Sequence, residues 1–78
     1  MVEVESGTNV PISIYTAGLA GAHVLIDKNG AGYEDTGITI MASVTQFFMD
    51  LVSGDEIYFA VGWGETPTAI LDAEIGVR

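Results

Sequence analysis

The chain has 78 residues and a mass of 8.2 kDa, which is enough for one domain and no more. Eleven Asp and Glu residues stand against two Lys and Arg residues, so the formal net charge is −9. This charge argues against a nucleic-acid partner or an anionic membrane partner, because both are bound through Lys and Arg. The sequence contains no Cys, which excludes disulfide frameworks, zinc ribbons and thiol catalysis.

The first part of the chain reads as a series of short strands. Residues 2–5 alternate Val and Glu, which is typical of a strand with one solvent-facing side. They predict an N-terminal arm or edge strand over residues 1–9, followed by a single β domain over residues 10–78. Within that domain, residues 12–16 alternate again and residues 23–27 contain a third short apolar run.

The clearest turn signal is the dipeptide Asn29-Gly30. Asn and Gly both adopt the positive φ that the two central residues of a type I′ hairpin turn require. Residues 31–34 are therefore expected to form the returning strand. A second turn is predicted at residues 35–37, and the next strand is predicted to start at residues 38–40.

Residues 42–52 fit either a helix or a strand. Apolar side chains at positions 44, 47, 48, 51 and 52 follow the spacing of one helix face. A strand would instead place Phe47, Met49 and Leu51 on one face. The content of Val, Thr and Phe favours the strand, because these residues are enriched in sheets.

The last part of the chain contains the most regular alternation. The predicted elements are a turn at residues 53–55, a strand at 56–61, a loop at 62–67 and a final strand at 71–77. Seven or eight short strands at intervals of about ten residues indicate an all-β fold. We expect a small antiparallel β-sandwich or barrel.

Residues 42–59 resemble the complement-type and tumour-necrosis-factor-like globular heads. In that family a strand of alternating Leu precedes a Gly-Asp-Glu turn and a Val-Tyr-Leu strand, and the matching residues here are Leu51 and residues 54–59. The resemblance implies a trimeric, non-enzymatic jelly-roll module. The family's head is longer than this chain, so the implied fold is a reduced jelly roll.

A second resemblance rests on size and composition. A small, acidic, cysteine-free β protein with many apolar residues is similar to the decoration (cement) proteins of tailed-phage capsids. This resemblance implies a structural protein on the virion surface that ties capsid subunits together, with residues 2–9 as the arm that reaches a neighbour. The alternative is a receptor-binding or glycan-binding head of a fibre or surface protein.

The proportion of apolar residues is high for so small a chain. Hydrophobic residues make up 49% of the sequence and charged residues only 17%, against about 25% charged residues in a typical domain. We expect the surplus apolar side chains to face another chain, either in a homo-oligomer or on a larger assembly. The alternative is a compact, unusually apolar monomer that its negative charge keeps soluble. No signal peptide or membrane-spanning run is expected from the sequence.

No residue pattern predicts catalysis or a cofactor. His23 is the only His, and Asp27 is the nearest acidic residue that follows it. On a strand these two side chains would share a face about 13 Å apart, so His23 is interpreted as a polar residue at the start of a strand. The adjacent acids at 34–35 and 55–56 are interpreted as solvated charge in turns. A small enzyme would need a composite site between subunits.

Residues 27–35 partly match the pattern of a calcium-binding loop. Asp27, Asn29, Gly32 and Asp35 occupy loop positions 1, 3, 6 and 9. Position 12 is Ile38, where a helix-loop-helix site requires a bidentate Glu. The leading interpretation is an ordinary polar hairpin, and a looser calcium site formed by Asp27, Asn29 and Asp35 is the alternative. No metal site is predicted.

Four aromatic residues are the candidate anchors for contacts: Phe47, Phe48, Tyr58 and Trp63. Aromatic residues often dominate protein interfaces, but they also fill cores. Trp63 lies between two glycines, where it could contact a protein, stack on a sugar ring or close one end of the core. The sequence leaves these alternatives open.

Overall fold

The computed structural model describes residues 2–16, 21–64 and 66–78, with only the backbone of Asp72. This part of the chain contains seven strands and no helix: β1 (Val2–Val4), β2 (Gly7–Tyr15), β3 (His23–Lys28), β4 (Tyr33–Thr39), β5 (Val44–Leu51), β6 (Glu56–Trp63) and β7 (Thr66–Val77). The predicted all-β fold is confirmed.

The strands form two sheets. The large sheet has five strands in the order β1-β7-β6-β3-β4, and the small sheet pairs β2 with β5. Phe47 of the small sheet contacts Phe59 of the large sheet edge to face, with ring centroids 6.3 Å apart. The described residues therefore form a sandwich and not a closed barrel.

One pairing differs from the predicted antiparallel arrangement. β1 runs parallel to β7, with Val2 opposite Ile75 and Val4 opposite Val77. β1 and β7 lie near opposite ends of the chain and are not joined by a hairpin, so their pairing does not have to be antiparallel. β1 is thus an edge strand of the large sheet, while residues 7–9 of the predicted arm belong to β2.

The core lies between the sheets and follows the alternation in the sequence. On β6, Ile57, Phe59 and Val61 point inward and are fully buried, as the period-two pattern predicted. On β7 every second residue packs against the same core. The partly buried or buried members of this row are Ala69, Leu71, Ala73, Ile75 and Val77.

Residues 44–51 are a strand, so the helical interpretation of residues 42–52 is wrong. β5 pairs with β2 in a regular antiparallel register that includes Ile12 opposite Phe47 and Ile14 opposite Thr45. Phe47, Met49 and Leu51 pack toward the core. The enrichment in β-branched and aromatic residues was the better guide here.

The hairpin between β3 and β4 has the predicted turn. Asn29 has φ 61° and Gly30 has φ 79°, and the amide of Ala31 donates to the carbonyl of Lys28 at 3.3 Å. These are the features of a type I′ turn.

The predicted turn at residues 35–37 is wrong, because β4 continues through it. Between the pairs Leu25–Asp35 and His23–Thr39, three residues of β4 lie opposite Val24 alone. Asp35 accepts a hydrogen bond from the amide of Gly37 at 2.7 Å, and the Thr36 hydroxyl donates to the Val24 carbonyl at 2.7 Å. These bonds stabilise a bulge within β4, so the strand does not end there.

The predicted loop at residues 62–67 is also largely wrong. β6 runs to Trp63 and β7 begins at Thr66, so only two residues connect them, of which Glu65 lies outside the described residues. Gly62 pairs with Pro67 inside the sheet. Gly and Pro were interpreted as loop signals, but here Gly62 allows a close approach of two strands.

Candidate functional site

The outer side of the small sheet is uncharged except for Asp50 near the end of β5, which accepts a hydrogen bond from the Asn9 amide at 2.9 Å. The other exposed alternate residues of β2 and β5 are here called the small-sheet face: Pro11, Ser13, Tyr15, Val44, Gln46 and Phe48. Phe48 and Tyr15 are each 69% exposed. On a chain with a net charge of −9, six neighbouring uncharged positions with three large apolar side chains are a candidate contact surface.

The four predicted aromatic anchors do not form one cluster. Phe47 is part of the core, whereas its neighbour Phe48 belongs to the small-sheet face. Tyr58 alternates with the core residues of β6, is half-buried and donates from its hydroxyl to Glu56 at 2.9 Å. Trp63 is 55% exposed at the end of β6, so it is a surface residue and does not close the core.

A polar cluster joins β3, β4 and the turn that follows β6. Nδ1 of His23 lies 2.9 Å from Oδ2 of Asp35, and the amide of Gly64 donates to the same oxygen at 2.9 Å. The hydrogen bond from His23 and those from the Gly37 and Gly64 amides hold the pKa of Asp35 below its ordinary value. Asp35 is therefore a stable anionic partner that orients the His23 ring.

Asp35, and not Asp27, is the carboxylate that meets His23. The β3–β4 hairpin places Asp35 opposite Leu25, diagonally across from His23. The spacing of acids along the strand of His23 does not predict this pair, because Asp35 lies on the neighbouring strand. Counting back across the Asn29-Gly30 turn would have shown that the returning strand brings residues near 35 close to β3.

Asp27 lies in a row of polar side chains on the outer side of the large sheet. It stands opposite Tyr33 on β4 and Tyr58 on β6. Its Oδ1 atom is buried and has no hydrogen-bond partner among the described residues. The pKa of Tyr33 is raised by burial and then by Asp27, and that of Tyr58 mainly by its hydrogen bond to Glu56. Both phenols therefore stay neutral at physiological pH.

The residues of the suggested calcium loop have other partners. The side chain of Asn29 donates to Asp55 at 2.9 Å and accepts from the Glu56 amide at 2.7 Å, and Asp35 is bound to His23. Within the described ranges, no three His, Cys, Asp or Glu side chains are grouped closely enough to hold a metal ion. The trio Asp27, Asn29 and Asp35 is thus not assembled as a site.

Comparison with known proteins does not assign a function, so the assignment rests on the geometry. No protein-family model matches the chain, and no curated protein and no solved structure is similar to it. Within the part of the chain that the structure describes, no helix has the length and apolar character needed to cross a membrane.

Proposed function

We propose that the chain is a non-enzymatic structural module that forms a homotrimer and decorates or reinforces a larger protein assembly, such as the exterior of a phage capsid. The small-sheet face carries this proposal, because it exposes large apolar side chains on an otherwise acidic chain. The trimer and the virion surface come from the resemblances to jelly-roll heads and capsid decoration proteins.

Charge explains why the small-sheet face is suited to contacts between copies. Two chains that each carry −9 repel one another, so a stable contact has to form where charges are absent. Fully burying an exposed Phe or Val side chain contributes about 1.5–3 kcal/mol. Tyr15, Val44 and Phe48 together supply enough apolar surface to offset part of the repulsion.

The mass of the protein in solution tests the oligomer. We expect light scattering over a dilution series to give about three times 8.2 kDa for the natural chain. Phe48→Ser should raise the midpoint concentration for dissociation at least tenfold, because it removes one large apolar contact, a loss of about 1.4 kcal/mol or more. The matched control is Ile70→Ser, which changes a 63% exposed residue on the large sheet and should leave the mass unchanged. A natural chain that is monomeric at all concentrations would overturn the homo-oligomer.

The glycan-binding head is the second candidate, and one observation favours it. Trp63 is 55% exposed and directly precedes Gly64, whose amide donates to Asp35. An exposed aromatic ring offers a flat apolar face on which a ligand ring can stack. This arrangement is what a sugar-binding role for Trp63 requires.

Tryptophan fluorescence separates the two candidates, because Trp63 is the only Trp. Under the assembly function we expect no saturable change in emission when glucose, galactose or N-acetylglucosamine is added. A saturable change that disappears in His23→Ala, but persists in the control Lys28→Ala, would support the glycan-binding head instead. Lys28 is an exposed residue at the opposite end of β3.

A further inference from the structure

Two grooves of about 440 Å³ each flank the small sheet. They exist because two strands, spaced about 4.8 Å apart, cannot cover the width of five. The contact between Phe47 and Phe59 places the small sheet over the middle of the large one. One groove therefore lies beside β2, over β7 and β1, and the other lies beside β5, over β4.

The two grooves differ in chemistry. The groove beside β5, here called the polar groove, is bordered by Lys28, Asn29 and Glu34, which water solvates readily. The groove beside β2, here called the apolar groove, has a floor of Val2, Val4, Phe59, Ala73 and Ile75. Val2 is 65% exposed there. The sequence thus keeps apolar side chains facing inward on β1 and β7, although no described strand covers them.

The side wall of the apolar groove is the free edge of β2. Four consecutive residues, 11–14, line it. Because neighbouring strand residues point to opposite faces, four in a row can line one groove only through the strand edge. Within the described residues β2 pairs with β5 alone, so this edge is available. An open strand edge above an apolar floor is the arrangement used in β-strand addition.

We propose that the apolar groove accepts an extended segment of a subunit of the larger assembly, which adds as a strand beside β2. This inference rests on the proposed function and names its attachment site. The added strand turns alternate apolar side chains toward Ala73 and Ile75, and its other side chains face outward. It extends the small sheet to three strands and covers the floor of the groove.

Charge and shape indicate a different protein as the occupant and argue against a second copy. The chain carries a net charge of −9, which disfavours a second copy and favours a partner segment with Lys or Arg at its outward positions. If β2 of a second copy paired with β2, the β7 and β1 strands of both copies would occupy the same space beneath the joined small sheets.

A synthetic peptide tests the assignment. The probe is a capped hexapeptide that alternates Lys and Val, and the control peptide alternates Glu and Val. We expect the Lys peptide to shift the backbone amide NMR signals of Ser13, Ala73 and Ile75 in a saturable way while the signal of Thr36 in the polar groove stays fixed. The Glu peptide should bind at least tenfold more weakly.

Two variants locate the binding. Ala73→Phe fills the apolar groove and should weaken peptide binding at least tenfold, whereas the matched Ala31→Phe in the polar groove should change it less than twofold. Val2→Lys places a positive charge on an exposed residue of the groove floor, leaves the core intact and should weaken the binding of the Lys peptide to a similar extent.

The failure of this assignment can be told apart from the failure of the proposed function. No saturable shift, or equal binding by the two Ala→Phe variants, would overturn the groove assignment. A trimer that binds no peptide keeps the proposed oligomer and removes the groove as its attachment site. A monomer that binds the Lys peptide at Ala73 and Ile75 removes the proposed oligomer and keeps the groove as the attachment site.

Discussion

Phe59→Ala is expected to lower the free energy of unfolding by about 3–5 kcal/mol. Phe59 is fully buried at the centre of the core, between the two sheets. Its removal leaves a cavity and also breaks the edge-to-face contact with Phe47, which adds about 0.5–1.5 kcal/mol beyond the buried area. The packing across the sandwich depends on this pair more than on any surface contact described above.

The size of the chain makes this loss severe. A domain of 78 residues has a total stability of about 4–12 kcal/mol at 0.05–0.15 kcal/mol per residue. We therefore expect urea unfolding of Phe59→Ala to show a midpoint lowered by at least about a quarter, and at the low end of this stability range a chain that is already partly unfolded in water.

The matched control for this experiment is Phe48→Ala. It removes the same side chain from a position that is 69% exposed, so its cost should stay within about 0.5 kcal/mol. The comparison is made at a concentration where the protein is monomeric, because Phe48 also belongs to the proposed contact between copies. Equal losses for the two variants would contradict the position assigned to Phe59.

The two neighbouring Phe residues also show how far the sequence determines the fold. Period-two alternation on residues 57–61 predicted the inward side of β6, and Asn29-Gly30 predicted the hairpin and its turn type. Alternation predicts that Phe47 and Phe48 point to opposite faces of the strand, but it does not predict which of them is buried. Phe47 is the buried one because β5 pairs with β2 in a register that places it opposite the core residue Ile12.

The candidate sites were harder to predict because they combine residues that are distant in sequence. His23 and Asp35 meet through the register of a hairpin, and Gly64 joins them from the turn that follows β6. The apolar groove depends on which strands share a sheet, since its floor comes from β1 and β7 and its wall from β2. The period-two pattern showed that residues 71–77 have an apolar side, but not that the facing sheet is too narrow to cover it.

The small-sheet face and the apolar groove provide for two different contacts on one small domain. The face is uncharged, so like-charged copies can approach there. The groove offers an open strand edge on a chain with a net charge of −9, which suits a basic extended segment of another protein. A module that holds a larger assembly together needs both kinds of contact, one among its own copies and one to the shell.

Gly62→Ala is expected to cost about 3 kcal/mol of stability, near the upper end of the range for overpacking a well-packed site. A Cβ atom at position 62 would collide with the backbone oxygen of Thr66 and would lie 3.0 Å from both the Cα of Pro67 and the amide nitrogen of Thr68. These are backbone atoms of the adjacent strand, so no side-chain rotation can relieve the clash. Relief requires β7 to move away from β6 at the hairpin.

Gly7→Ala is the matched control, because it adds the same methyl group to a strand glycine that also lacks a positive φ. There the new atom meets only the Cγ2 of Val10, at 3.1 Å, and a side-chain methyl can shift by a few tenths of an ångström. We expect a cost below about 1 kcal/mol for this variant. Urea unfolding measures both values, and similar losses would contradict the close approach of β6 and β7.

The emission of Trp63 gives an independent measure of the same movement. Trp63 follows Gly62 directly and stands opposite Thr66, so a displaced β7 should change its surroundings in the folded protein. Gly62→Ala should therefore shift the emission maximum before any denaturant is added, whereas Gly7→Ala should not. A destabilised Gly62→Ala protein with unchanged emission would mean that the strain is relieved elsewhere and that the hairpin end stays in place.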